Sequence, residues 1–138
     1  MMKFSKNAIK VLERRYLAKD EKGELVEDIP ALFRRVAEHI AKGDLNFDPK
    51  ADTNAVADEF YDIMTNLEFM PNSPTLMNAG RPLGQLSACF VLPIDDSMEA
   101  IFNAVKNAAL IHKSGGGTGF SFSRLRHAGA MVQSTGGV

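Results

Sequence analysis

The segments Leu86-Ser87-Ala88-Cys89-Phe90-Val91-Leu92, closed by Pro93, and Gly115-Gly116-Gly117-Thr118-Gly119-Phe120 bracket one helical stretch, and their reading decides the fold. The first is a short apolar run of the kind that a parallel sheet buries. Between them, Asp95-Asp96-Ser97 opens a helix over 97–113, with Ile101, Ala104, Val105, Ala108 and Ile111 at helical spacing on the inward face. Ser97 is an N-cap, but Ala100 stands where a full capping box needs Glu or Gln. After the glycines, residues 118–124 alternate Phe120 and Phe122 with Ser121 and Ser123, which predicts a second strand. Strand, helix, glycine loop and strand in that order outline a βαβ unit.

Upstream the sequence is helical. Ser5 caps a helix over 5–17 with Ile9, Leu12 and Tyr16 on one face. Residues 14–27 carry a hairpin signal around Asp20-Glu21-Lys22-Gly23. Asp28 caps a second helix with Pro30 in its first turn and a stripe of Leu32, Phe33, Val36, Ala37 and Ile40, ending at Lys42-Gly43. Residues 43–52 read as a loop. A third helix spans 53–69, capped by Thr53 or Asn54, with Val56, Phe60, Ile63, Met64 and Leu67 inward. In Pro71-Asn72-Ser73-Pro74-Thr75-Leu76-Met77-Asn78-Ala79-Gly80 the two prolines exclude a regular helix, leaving room for a short turn at 75–78.

The bulk composition narrows the function classes. The 138 residues are 45% hydrophobic, enough for a core. Sixteen basic and 17 acidic residues give a net charge of −1, so no electrostatic case exists for a nucleic-acid partner. No apolar run approaches the roughly 18 residues of a membrane span. Met1-Met2-Lys3-Phe4-Ser5-Lys6 is not the start of a secretory signal. One cysteine makes no internal disulfide, which suits a reducing, cytoplasmic setting. That cysteine with His39, His112 and His127 has no zinc-ligand spacing, so no metal site is expected.

Three features are candidates for chemistry, and each has a bland reading beside it. The glycine loop leaves a helix and enters a strand, with no lysine after it, so it is not a P-loop or a dinucleotide fingerprint. It is either a structural turn or a ligand contact, although three successive glycines exceed the single one that a helix C-cap takes. Cys89 is either an inert core residue or a sulfur left open to a ligand by small Ser87 and Ala88. Asp95-Asp96-Ser97 suffices as a helix cap. It also has the makings of a nucleotide subsite if Arg124 and Arg126, on one face of an extended second strand, supply a cation. His112 reads as a surface or cap residue at the helix end.

Together these segments resemble the N-terminal part of the ribonucleotide reductase large (catalytic) chain, most nearly the adenosylcobalamin-dependent class II type. The carrying residues are Pro71 to Gly80, Gln85-Leu86-Ser87-Ala88-Cys89-Phe90-Val91-Leu92-Pro93, Asp96-Ser97, and Gly115 to Arg126. The resemblance implies a mainly α chain with a few β strands. A helical domain, 1–70, would lead into the first strands and helix of a ten-stranded α/β barrel, 71–138. It implies reduction of ribonucleotides by a thiyl-radical mechanism, with Cys89 as one member of the reducing cysteine pair. Ser73, Ala88, Cys89 and Gly117 match substrate-contacting positions. Asp96, Ser97, Met98 and Arg126 match the site for a deoxynucleoside triphosphate effector, which in the family lies at a homodimer interface. Adenosylcobalamin is the cofactor of the complete enzyme, with no ligand residue in this stretch.

The family's radical cysteine and pairing cysteine are not among these residues, so the remaining barrel, as the same chain or a separate one, is an expected partner. The 138 residues alone are expected to be inactive. Ser134-Thr135-Gly136-Gly137-Val138 reads as an interrupted end, with association or disorder expected near it, and no regulatory domain is expected ahead of residue 1. The alternative is a non-catalytic module, from a split gene or a remnant, that binds a partner chain or a nucleotide.

Overall fold

The computed structural model describes residues 4–132 and Gly136. Most of the end at 134–138, and the first three residues of the N-terminal reading, lie outside the described residues. The chain forms two compact units, Met1–Ser87 and Ala88–Val138. Among the described residues it is mainly helical with two strands.

The first unit is built on caps that the sequence announces. In α1 (Lys6–Arg15) the Ser5 hydroxyl accepts the Ala8 N–H at 3.2 Å. The hairpin is reduced to one antiparallel bridge, Lys19 to Leu25. Its turn is held by the Asp20 carboxylate, which accepts the N–H groups of Lys22 and Glu24, each at 2.9 Å. In α2 (Ile29–Ala41) Asp28 accepts the Ala31 N–H at 2.8 Å, and Leu32, Phe33, Val36, Ala37 and Ala41 are buried. Ile40, expected inward, lies at the rim of an apolar groove of about 330 Å³ shared with Phe60, Ile63 and Phe69. A 3-10 turn at Lys42–Asn46 occupies the first half of the expected loop.

Helix α3 (Thr53–Thr65) differs from expectation at both ends. Its cap is Asp52, which accepts from the N–H groups of Asn54 and Ala55 at 3.1 Å each, and not Thr53 or Asn54. It stops four residues before 69, because Leu67 takes a φ of 64°. The Leu67 N–H donates to Met64 O and the Glu68 N–H to Ile63 O. This is a Schellman ending with leucine where glycine is usual, so the ordinary stop signal is missing from the sequence. Leu67 is consequently exposed instead of inward.

Helix α4 (Ser73–Asn78) is capped by Asn72 and carries Pro74 in its first turn, where the missing N–H costs nothing. It is longer than the expected turn at 75–78. The amides of Asn72 and Asn78 donate to the carbonyls of Leu86 (3.2 Å) and Gln85 (2.8 Å), folding the following loop back onto α4.

In the second unit β1 (Cys89–Leu92), α5 (Met98–Lys113) and β2 (Gly117–Phe120) make a parallel βαβ unit in the register Cys89↔Gly117 to Leu92↔Phe120. Strand β2 is shorter than the expected 118–124. Strand β1 is not buried: Cys89 and Val91 point outward, Val91 at 82% exposure. One helix covers one sheet face only, so the other meets solvent among the described residues. For the same reason Ala104 is the buried residue of α5, while Val105 is exposed.

Candidate functional site

Each glycine of the loop has its own task. Gly115 takes a φ of +83° and closes α5, its N–H donating to His112 O and that of Gly116 to Ile111 O, both at 3.0 Å. This is the same Schellman geometry that ends α3, here with the usual residue. A Cβ at Gly116 would lie 2.7 Å from Ile111 Cγ2 and 3.0 Å from Phe90 Cε2, so only glycine lets the chain pass between helix and strand. Gly117 has neither constraint. Its N–H donates to Ala88 O at 2.6 Å, and a Cβ would meet only that oxygen, at 3.6 Å. Its bareness leaves the strand surface beside Cys89 open.

Ala88, Cys89 and Gly117 therefore stand together: Ala88 bonded to Gly117, and Cys89 paired with it in register. Cys89 is a free thiol, exposed among the described residues and outside the apolar core of this chain. Beside this pair, His112 Nε2 bonds the Thr118 hydroxyl at 2.9 Å, tying the end of α5 to β2.

The expected effector residues also converge. Arg126 Nε donates to Asp96 Oδ2 at 2.8 Å, and Arg124 to Asp95 Oδ1 at 3.0 Å. The arginines do not share a strand face, since β2 ends at Phe120; a turn-rich segment brings them to the two aspartates. The Ser97 hydroxyl is engaged as N-cap of α5, accepting the Ala100 N–H at 3.1 Å. Met98, the first residue of α5, is 69% exposed.

Ser73 belongs to the first unit and is exposed at the start of α4. Its hydroxyl bonds the phenol of Tyr16 at 2.8 Å. The segment after it is held by a carboxylate that the sequence reading missed. Glu27 Oε1 accepts from Arg35 Nη2 (2.8 Å), Arg81 Nη2 (3.0 Å) and the Ala18 N–H (2.8 Å), and Oε2 accepts from Arg35 Nε (3.0 Å). Arg35 also donates to the carbonyls of Ala79 and Leu76, and Arg81 to Tyr16 O. Burial raises the Glu27 carboxyl, but the Arg35 hydrogen bonds, the Ala18 N–H, the Arg35 charge and Arg81 outweigh it and hold it below the ordinary value. Gly80, at φ +72°, leaves the Arg35 stem its room, since a Cβ there would lie 2.9 Å from Arg35 Cγ. No periodicity links residues 27, 35 and 81. The only signal was the run of special residues from Pro71 to Gly80, which Arg81 directly follows.

Among the described residues no group of three His, Cys, Asp or Glu side chains is placed to hold a metal ion. No described helix is long and apolar enough to cross a membrane.

Comparison with known proteins agrees with this division of the chain. Residues 2–84 match the ribonucleotide reductase all-alpha domain, and residues 87–138 match the ribonucleotide reductase barrel domain. A vitamin B12-dependent ribonucleoside-diphosphate reductase of Thermoplasma acidophilum is 44% identical, over 99% of this chain and 25% of its own length. One of the same name from Mycobacterium tuberculosis is 46% identical, over 99% of this chain and 20% of its own. The ribonucleoside-diphosphate reductase subunit alpha of Helicobacter pylori is 35% identical, over 94% of this chain and 16% of its own. The chain thus spans a quarter or less of the length of these relatives.

Proposed function

Because this chain belongs to the ribonucleotide reductase family, we propose that it forms the N-terminal part of an enzyme that reduces ribonucleotides to deoxyribonucleotides. Its helical part and the start of a barrel would be completed by the remaining barrel sequence. The names of the relatives favour a ribonucleoside diphosphate as substrate and adenosylcobalamin as cofactor of the whole enzyme. Among the described residues no three His, Cys, Asp or Glu side chains gather to hold a metal ion, and the His112 ring is bonded to Thr118. Cobalamin would be held by sequence outside this chain.

The observation that carries the reading is the exposed Cys89 thiol paired with the bare backbone of Gly117. A ribonucleotide laid on that surface has a thiol at hand and meets no side chain at Gly117. In the proposed reaction a thiyl radical on another cysteine removes the 3′-hydrogen. The 2′-hydroxyl leaves as water. Cys89 and a second cysteine supply two electrons and two protons, one proton going to the leaving hydroxyl and one hydrogen to C2′, and end as a disulfide, and the 3′-hydrogen returns. Ser73, Ala88 and Gly117 would contact substrate. Asp96, Ser97, Met98 and Arg126 would receive a deoxynucleoside triphosphate that biases the choice of base, at a homodimer face, in a cytoplasmic enzyme.

The test is Cys89→Ser in the full-length reductase. Turnover should be lost while nucleotide binding persists. Undiminished multiple turnover by that variant would end the reading, and deoxynucleotide formation by the 138 residues alone would end the expectation that they are inactive without the remaining barrel. Nucleotide or partner binding in the absence of any reductase activity would point to the non-catalytic module.

A further inference from the structure

The Ser73 hydroxyl has one side-chain partner, the phenol of Tyr16, at 2.8 Å and 57 residues away in sequence. Tyr16 is not free to follow it. Its N–H donates to Leu12 O at 2.9 Å, its carbonyl accepts Arg81 Nη2 at 2.9 Å, and its ring packs on the core under the Arg15 guanidinium, 5.9 Å from the ring centroid. A serine hydroxyl on a surface otherwise samples three staggered wells. The phenol selects one of them.

We infer that Tyr16 is a positioning residue for Ser73, donating its phenolic hydrogen to Ser73 Oγ so that Ser73 presents its own hydrogen to an acceptor oxygen of the substrate. This rests on the substrate role of Ser73 proposed above. The direction follows from chemistry. A serine facing an acceptor oxygen must donate to it, and the serine oxygen is then left to accept from the neutral phenol beside it. Hydrogen bonds in such a chain polarise one another, so the serine becomes the better donor. Tyr16 does not touch the substrate in this arrangement.

The experiment is a double-mutant cycle in the full-length reductase, read as KM and kcat for the ribonucleotide together with the denaturation midpoint. Tyr16→Phe keeps the ring and removes the hydrogen bond. It should raise KM about fivefold, the worth of one hydrogen bond. Both kcat, within about twofold, and the midpoint should hold, as expected for lost uniform binding. Ser73→Ala should raise KM at least as much, and adding Tyr16→Phe to it should change nothing further. Equal effects of Tyr16→Phe with and without Ser73 would overturn the inference, as would a fall in kcat that tracks the midpoint. If Ser73→Ala raises KM and Tyr16→Phe does not, the inference alone fails. If Ser73→Ala leaves KM unchanged, the substrate role of Ser73 fails with it.

Discussion

Arg126 reaches back 30 residues to bond Asp96 at 2.8 Å, one residue ahead of the cap of α5, with both side chains about one-third exposed. The pair is an ion pair at a water-accessible edge. It is therefore worth little to stability, within about 1 kcal/mol, and both partners are at hand for a ligand. Arg126→Gln in the full-length enzyme should leave the denaturation midpoint in place and abolish the effect of a deoxynucleoside triphosphate on which base is reduced. An unchanged response to effector would remove Arg126 from that site.

Glu27 behaves differently because it is only 10% exposed and meets two arginines. Glu27→Gln should destabilise the chain by about 1.5–3 kcal/mol, the range for hydrogen bonds to charged groups, measured by urea unfolding. The pH dependence has a definite sign. The folded carboxyl titrates below the ordinary 4.5, so its contribution is complete above that value and is lost as pH falls through the folded pKa. The difference between Glu27 and Glu27→Gln should shrink below pH 4.5. A gap that stays constant down to strong acid would contradict the ion-pair account.

The three loop glycines should respond unequally to alanine. Gly116→Ala forces Ile111 and Phe90 apart and should cost about 1–3 kcal/mol, as overpacking does. Gly117→Ala meets ordinary contact only, so it should fold normally. It should nevertheless depress turnover of the full enzyme, because a methyl would then stand beside Cys89. A Gly117→Ala enzyme of full activity would argue against substrate on that surface.

Leu67 holds a left-handed conformation that a side chain disfavours by roughly 1 kcal/mol. It is exposed, so little packing offsets that cost. Leu67→Gly should therefore raise the unfolding free energy by some tenths of a kcal/mol to about 1. Destabilisation by this change would mean that the leucine makes a contact worth more than the strain.

Much of the fold was legible because its determinants are local. Ser5, Asp28 and Ser97 each cap the helix that their spacing announces, and the strand–helix–glycine–strand order becomes the parallel pair of Cys89 and Gly117. The misreadings are local signals that were silent or shared. Asp52 caps α3 beside two plausible neighbours, and Leu67 stops it without a glycine. Phe120 and Phe122 keep a strand alternation that pairing does not sustain, since β2 ends at Phe120.

The candidate site divides along the same line. Most elements, the caps Ser5, Asp28 and Ser97, and the small residues around Cys89 were readable along the chain, because capping and periodicity act over a few residues. Only the tertiary structure decided that Cys89 is exposed, that each glycine has a separate task, that Arg126 meets Asp96, and that Glu27 gathers Arg35 and Arg81 behind the Tyr16–Ser73 pair. Those contacts join residues eight to 57 positions apart with no periodic relation. They exist because packed helices carry the chain back to the same place, and no local propensity encodes where that place will be.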